Sequence, residues 1–399
     1  MVRKMSGEEV LIGEGWKFKR TAKAWGPCQL SELPRDIAER AQEVGVRPDM
    51  NDRSGAYFQI DHSVVFSRIQ KAFEGKAEIM SVKDAMKKYK WLEKFVWSII
   101  DKEADEYTRL AADEWDNGYF IRIFENQKIT LPLQACLFIS TNNLDQNVHN
   151  VILAEPGSEA HIITGCTVHP NVRSGLHVGI SEFFVKENAK LTFTMIHAWG
   201  EELIVRPRTG VLLEDGATFV SNYVSLKPVR SLQMFPTAYC RGDGSRAVFN
   251  SIIYGSGESK IDAGTKILLE GKKSRGEIIS RSVAADRADM TARGLLIGKD
   301  KESRGHLECM GLILSEGAVI RAFPELIAEV EGTELSHEAA VGKIAEEQIF
   351  YLMSRGFSED EARSLIVKGF MNPNILTDLP EPLKMEIEKM IELTMKKKL

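Results

Sequence analysis

The order of apolar and polar positions divides the chain into stretches of different periodicity. Ser81 and Asp84 have the spacing of a helix N-cap pair, and apolar residues then recur at helical intervals at Ala85, Tyr89, Leu92, Val96 and Ile99. This pattern predicts an amphipathic helix. A weaker helix is predicted from about Glu32 to Val44, ending at Gly45.

From about Tyr119 to Ala328 the chain consists of short runs rich in β-branched residues, separated by clusters of Gly, Asp, Asn and Ser. Turn clusters recur at a nearly regular step over many turns, with no helical segment between them, which favours a solenoid of short strands. A parallel β-helix is therefore the first interpretation, and a β-sandwich is the alternative. The clearest strand runs are Val151 to Leu153, Ile162 to Thr164, Leu191 to Ile196 and Ala247 to Ile253.

Helical periodicity returns after Ser336 and continues to Gly356, a residue type that ends helices. Ser358 and Glu361 form a capping-box pattern ahead of a second helix, and a third is predicted over Leu383 to Met395. The predicted organisation is a mostly helical N-terminal domain over residues 1–118, a β-helix over 119–333 and a helical domain over 334–399.

Composition and charge narrow the class of protein. The chain has 399 residues, of which 43% are apolar and 27% charged, which is ordinary for a soluble globular protein. Its formal net charge is −5, so nucleic acid is not an expected partner. We find no apolar run long enough for a membrane helix, and the start MVRKMSGEEV lacks the apolar middle of a secretory signal. A cytoplasmic location without a membrane partner is predicted.

The sequence carries none of the short motifs of common catalytic sites. A phosphate-binding P-loop, a dinucleotide-binding glycine pattern, HExxH and GxSxG are all missing, so the chain is not expected to be an enzyme that hydrolyses nucleotide. Its five cysteines are scattered without a CxxC pair, which argues against a zinc ribbon, a ferredoxin loop or a disulfide framework.

The strongest candidate site combines Cys309 in HLECMGL with His337 and Glu338. Thiolate, imidazole and carboxylate groups are ligands that iron and other transition metals accept, and a solenoid could stack residues at this separation side by side. The alternative is that Cys309 is a small buried hydrophobe and that Ser336, His337 and Glu338 begin a helix. Trp199 and Lys266 could line a polar path, or serve only in packing and in a solvated turn. Histidines 161, 169, 177 and 197 are interpreted as structural groups.

At these residues the sequence resembles the SufB/SufD family, the core scaffold of the SUF system for iron–sulfur cluster assembly. The similarity runs from about residue 50 to the C-terminus and lies in the order of many segments rather than in one motif. The segments are FQIDHSVVFSRI, VKDAMKKYKWLEKF, ITLPLQ, VILAEPGSEAHIITGCTVHP, GLHVGISEFFV, IHAW, DAGTK, RGL and SHEAAVGKIAEEQIFYLMSRG.

The resemblance implies a right-handed parallel β-helix that pairs with a second SufB/SufD-type protomer, as a homodimer or heterodimer. It also implies a scaffold that holds a transient iron–sulfur cluster at Cys309, His337 and Glu338 and receives sulfur from a cysteine desulfurase. A SufC-type ABC ATPase is the implied partner of the C-terminal helices, where ATP hydrolysis would reside. The residues expected to contact it are Phe350, Tyr351, Arg355, Gly356 and Phe370.

Two alternatives stay open at this stage. Retention of Cys309 and Glu338 favours a SufB-like chain, whereas Ser336 stands where the SufB pattern has Glu, as in a SufD-like structural subunit without its own cluster. A β-helical carbohydrate-active enzyme is a more distant alternative, because such enzymes need clustered carboxylates in a groove. The sequence does not determine whether a flavin participates.

Overall fold

The computed structural model describes the backbone of residues 2–5, 9–12 and 16–396, and the side chains of residues 17–395. The strands are β1 Val2–Met5, β2 Glu9–Ile12, β3 Trp16–Lys19, β4 Gly55–Ile60, β5 Ser63–Ile69, β6 Ala77–Ser81, β7 Tyr119–Ile123, β8 Leu133–Ile139, β9 Leu144–Ala154, β10 Glu159–Val168, β11 Ser174–Val185, β12 Lys190–Ala198, β13 Glu202–Val205, β14 Arg208–Leu213, β15 Thr218–Ser225, β16 Ser231–Met234, β17 Thr237–Cys240, β18 Arg246–Gly255, β19 Lys260–Leu269, β20 Arg275–Ala284, β21 Asp289–Gly298, β22 Arg304–Ile313, β23 Val319–Ala328 and β24 Glu334–Lys343. The α-helices are α1 Arg35–Gln42, α2 Val82–Lys88, α3 Glu106–Asp113, α4 Glu346–Ser354, α5 Glu359–Phe370 and α6 Glu381–Lys396.

The strands from β8 onward wind into a solenoid with two parallel sheets. Sheet I contains β9, β11, β13 with β14, β16 with β17, β19, β21 and β23, and sheet II contains β8, β10, β12, β15, β18, β20, β22 and β24. Thr218 pairs with Arg246 and Arg246 with Arg275, so one coil takes 28 or 29 residues there. The solenoid confirms the first interpretation of the strand pattern and excludes the sandwich.

The turns between the sheets correspond to the recurring turn clusters of the sequence. Gly216, Gly244 and Gly257 have φ angles of 63°, 67° and 65°, a left-handed conformation that side chains disfavour. Between the sheets, apolar side chains stack from coil to coil. The rings of Phe193, Phe219 and Phe249 belong to this stack, with Phe219 and Phe249 centroids 5.7 Å apart.

Helices cover the outer face of each sheet over part of its length. Residues of α2 and of the segment that follows it pack on sheet I through Val82, Ala85 and Leu92. Helices α1, α5 and α6 cover sheet II, where Ile37, Val367 and Ile387 join one apolar cluster. The outward-facing side chains of the last strands, β23 of sheet I and β24 of sheet II, are mostly exposed to solvent.

The helix predicted after Ser81 begins as expected and ends early. The Ser81 hydroxyl accepts a hydrogen bond from the Asp84 N–H, but α2 stops at Lys88 instead of continuing toward Ile99. The buried Glu182 carboxylate accepts the N–H groups of Trp97 and Ile99 at 2.6 and 2.7 Å. These bonds tie the segment to sheet I in a non-helical path, because charge-assisted bonds to a buried carboxylate are stronger than ordinary helical ones.

The first 118 residues are less helical than predicted. The weaker predicted helix is confirmed as α1, and Gly45 beyond its end has a φ of 74°. However, β4 joins sheet II beside β8, and β6 with β7 extends sheet I, so this part of the chain also builds one end of the solenoid.

The prediction that helical structure begins soon after Ser336 is wrong. Residues Glu334–Lys343 form β24, which pairs with β22 along its whole length, and the first C-terminal helix begins at Glu346. The capping box at Ser358 and Glu361 and the third helix are confirmed as α5 and α6. The division of the chain at residues 118 and 333 stays a prediction. No helix among the described residues is long and apolar enough to cross a membrane.

Buried histidines predict that acid destabilises the fold. Burial lowers the pKa of His161 to about 4 and that of His177 to about 3. The unfolded chain binds protons at both residues below about pH 6.5 while the folded chain does not, so the free energy of unfolding falls as the pH drops. Burial raises the pKa of Asp145 to about 6, which opposes this trend by a smaller amount. The fully buried His197, whose pKa burial also lowers, adds to the loss, and we expect a net decrease of roughly 4 kcal/mol between pH 7 and pH 5 in urea unfolding.

The variant His161→Gln provides the control for this pH dependence. It removes one titrating group and should recover about 2 kcal/mol of the loss at pH 5, relative to its own stability at pH 7. An unchanged difference between the two pH values would show that His161 is not a source of the acid sensitivity.

Candidate functional site

The solenoid ends in two strands that each have a neighbour on one side only. Within the described residues, β23 pairs with β21 and β24 pairs with β22, so the second edge of each strand is free. We call the surface formed by β23 and β24 the open end. Unpaired strand edges readily accept further strands, so the open end is a surface that favours contact with another chain. The exposed apolar side chains of these two strands are Val319, Phe323, Ile327 and Val341, and Val330 is exposed in the turn between them.

Cys309 lies one coil below the open end, on β22. Its side chain is 1% exposed and belongs to the interior core. The register places Ser280 of β20 on one side and Ala339 of β24 on the other. Burial, followed by the nearby charge of Glu308, raises the pKa of the Cys309 thiol to about 11, so the thiol is protonated at neutral pH.

His337 and Glu338 lie on opposite faces of β24. His337 is two residues before Ala339, so it shares the inward face with Cys309, about 8 Å away between Cα positions in a regular sheet. Glu338 pairs in register with Glu308 on the outer face, where Glu308 forms an ion pair with Arg281. The structure therefore brings Cys309 and His337 together and leaves Glu338 on the other side of the strand.

The described part of the chain does not complete a metal site at these residues. Among residues 17–395, no three His, Cys, Asp or Glu side chains are gathered closely enough to bind a metal ion. The inward face of β24 is open to solvent because no further coil covers it, and His337 is exposed there. Within residues 17–395, an iron at Cys309 and His337 would lack a third His, Cys, Asp or Glu ligand.

The C-terminal helices carry a second exposed apolar surface. Phe350 and Tyr351 of α4 are 63% and 59% exposed, and the Arg355 guanidinium lies 5.2 Å from the Tyr351 ring centroid. Gly356, with a φ of 98°, ends the helix. We call this the helical surface, and its other exposed apolar residues are Met353, Phe357 and Leu365. Phe370 is not part of it, because its ring packs toward sheet II near Arg281.

Comparison with known proteins places this architecture in a family. The family model described as "SUF system FeS cluster assembly, SufBD core domain" matches residues 137–370, more than half of the chain. The chain belongs to the SufBD family. Members of this family take part in iron–sulfur cluster assembly, which confirms the resemblance noted from the sequence.

Curated relatives match this SufBD chain over nearly its whole length. An iron–sulfur cluster assembly SufBD family protein of Archaeoglobus fulgidus is 51% identical over 356 residues, which cover 89% of this chain and 94% of the relative. A protein of the same description from Methanothermobacter thermautotrophicus is 44% identical over 369 residues, covering 92% of this chain and 89% of the relative. One from Pyrococcus horikoshii is 34% identical over 367 residues, covering 91% and 82%.

Trp199 and Lys266, the residues of the possible polar path, lie on different sides of the solenoid wall. Trp199 is buried in the interior, with its ring centroid 4.9 Å from that of His177 and 5.2 Å from that of His197. Lys266 alternates with the inward-facing Thr265 and Ile267 on β19, so its side chain points outward. The structure does not bring the two residues together.

Sequence reasoning missed the outer residues of the helical surface and the last strand, β24. On a short helix, the sequence pattern does not separate exposed from buried apolar positions, and this applies to Met353, Phe357 and Leu365. The late strand β24 was missed because Val341, Ala345, Ile349 and Leu352 also fit a helical period. The signal that identifies β24 is its register with β22. Moving one coil along the sequence from Arg304–Ile313 leads to Glu334–Lys343, the residues of β24.

Proposed function

We propose that this SufBD chain is a scaffold on which iron–sulfur clusters are assembled at the open end, with Cys309 and His337 as ligands of the nascent cluster. The cluster is the cargo of the protein and leaves it after assembly. The observation that carries the proposal is the placement of a buried thiol and an exposed imidazole on one inward face, next to free strand edges.

The chemistry of this pair suits a cluster that is handed on. Metal binding displaces the proton of the Cys309 thiol, so the high pKa of that thiol makes iron binding weaker than at a preformed thiolate. One thiolate and one imidazole also hold iron less firmly than the four thiolates of a resident cluster. Glu338 was predicted as a third ligand, and its place on the outer face makes it a separate candidate to be tested on its own.

A second SufB/SufD-type protomer is the proposed source of the missing ligands. Two open ends that meet would cover the free edges of β23 and β24. The same contact would close the inward face on which Cys309 and His337 lie. The proposal includes both a homodimer and a heterodimer with a related chain.

A SufC-type ABC ATPase is the proposed partner of the helical surface. Exposed aromatic residues and arginine are the side chains that most often anchor protein interfaces, and Phe350, Tyr351 and Arg355 provide them. ATP binding to the partner would favour one arrangement of the two solenoids over another and so open or close the cluster site. This chain would have no turnover of its own, and a cysteine desulfurase would supply the sulfur.

The test is anaerobic co-expression of the chain with its ATPase, followed by measurement of iron, acid-labile sulfide and absorption spectra. The proposal expects iron and sulfide in comparable amounts on the oligomeric complex, and little on the chain when it is kept monomeric. A dimeric complex that never carries iron or sulfide would overturn the proposal and favour the SufD-like structural role.

A further inference from the structure

A cleft that is open to solvent on one side lies under the C-terminal helix, several coils from the open end along sheet II. It separates α6 from the outer face of that sheet and has a volume of about 200 Å³. Its walls are mostly apolar. An unfilled apolar space of this size is unusual, because protein interiors are close-packed. The main wall residues are Ile196, Val224, Leu226, Tyr254, Met390 and Leu393.

Two polar features distinguish this cleft from a simple packing defect. Lys227 and Glu43 line it and form a half-exposed ion pair, with Nζ 3.3 Å from Oε2, so they lie at its solvent side. Ser256 also lines it, is 1% exposed, and its hydroxyl has no hydrogen-bond partner among the described residues. A buried polar atom without a partner is costly, and a ligand with a polar group would satisfy it.

The charges at the mouth select the sign of a ligand. Among the described residues that line the cleft, Lys227 is the only side chain that is positively charged at neutral pH. Glu43 has a second cationic partner, because it accepts a hydrogen bond from Arg40 at 2.7 Å. Lys227 can therefore turn to a ligand carboxylate without leaving Glu43 unpaired.

We propose that this cleft binds a small carboxylic acid with an apolar body about the size of one aromatic ring and a short chain. An apolar cavity of about 150 Å³ is enough to hold benzene, so this cleft has room for a ring with a few further atoms. Apolar walls with a small number of polar groups are the usual composition of a small-molecule site. The carboxylate pairs with Lys227 and the apolar body fills the space between α6 and sheet II.

The bound acid joins the C-terminal helices to the solenoid. Met390 and Leu393 belong to α6, whereas Val224 and Leu226 belong to the coil wall, so a ligand between them contacts both. A ligand in the cleft would stabilise the packing of α6 against sheet II. This site is independent of cluster assembly, since neither Cys309 nor His337 lines it.

The test uses 3-phenylpropionate and, as an uncharged match, 3-phenylpropanol, added to the full chain with ¹³C-labelled methionine methyl groups. The Met390 methyl resonance is expected to shift with 3-phenylpropionate, and that of Met385, which is 61% exposed on the same helix, is expected to stay unchanged. The alcohol should bind about fivefold more weakly, since it lacks the ion pair with Lys227.

Two variants separate the cleft from non-specific binding. Lys227→Met is expected to weaken 3-phenylpropionate about fivefold and to leave the alcohol unaffected, whereas Lys260→Met, on the exposed side of sheet I, should change neither. Thr394→Phe, which fills the cleft from α6, should abolish the Met390 shift. Equal affinity for acid and alcohol, or no Met390 shift in the wild-type chain, would overturn the proposal.

Discussion

The variant Cys309→Ala is expected to lose about 90% or more of the iron and sulfide that the wild-type complex carries after anaerobic co-expression with the ATPase. Cys309 is the thiol that lies one coil from the open end, and its removal leaves His337 without the strongest iron ligand on that face. His337→Ala is expected to have a similar effect. Loss of metal affinity by a factor of about ten or more is ordinary even when only a supporting group is removed.

Matched variants show whether the loss is specific to the site. Cys240→Ala removes another fully buried interior thiol, on sheet I and several coils from the open end, and should load as wild type. Glu338→Gln should lose less cargo than Cys309→Ala, because Glu338 lies on the outer face beside Glu308. Normal loading of Cys309→Ala would refute the ligand assignment, and complete loss in Glu338→Gln would show that the ligand set spans both faces of β24.

Replacing both Phe350 and Tyr351 with serine is expected to weaken binding of the SufC-type ATPase by about 30-fold or more. The two rings are the most exposed aromatic side chains of the helical surface, and truncating a single anchor at an interface often costs about 2 kcal/mol. Stimulation of ATP hydrolysis by this chain should fall in parallel. The measurements are affinity by calorimetry and ATPase rate as a function of scaffold concentration.

The control for this prediction is Met385→Ser. Met385 is as exposed as the two rings but lies on α6, which carries none of the residues of the helical surface, and its replacement should leave ATPase binding unchanged. A double variant with wild-type affinity and a wild-type circular dichroism spectrum would place the ATPase contact elsewhere on the chain. In the absence of ATP, the double variant at Phe350 and Tyr351 should carry as much iron and sulfide as the wild-type chain.

Local patterns in the sequence were sufficient where a structure depends on neighbouring residues. The capping box at Ser358 and Glu361 begins α5, and Ser81 caps α2, because these bonds form within one turn of helix. The recurring turn clusters predict the solenoid for a similar reason, since turn residues such as Gly216 and Gly244 have a left-handed backbone conformation that glycine favours. The candidate ligands Cys309 and His337 were also found from residue type and spacing.

Errors arose where distant contacts override local preference. The helix predicted toward Ile99 is replaced by an irregular segment because Glu182, more than eighty residues away, accepts its N–H groups. β24 was taken for part of a helix, since the same apolar residues fit two periods and only pairing with β22 decides between them. Strand alternation then separates Glu338 from His337, which adjacency in sequence had grouped together.

The sequence by itself determined the class of fold and the family and named Cys309 and His337 as candidate ligands, because turn residues, helix caps and the order of family segments are properties of short stretches. Only the tertiary structure decided which side of the solenoid wall each side chain occupies, where the strand edges stay free, and that Glu338 faces away from Cys309. Those facts depend on the register between coils about 30 residues apart, where a shift of one residue turns every side chain to the other face.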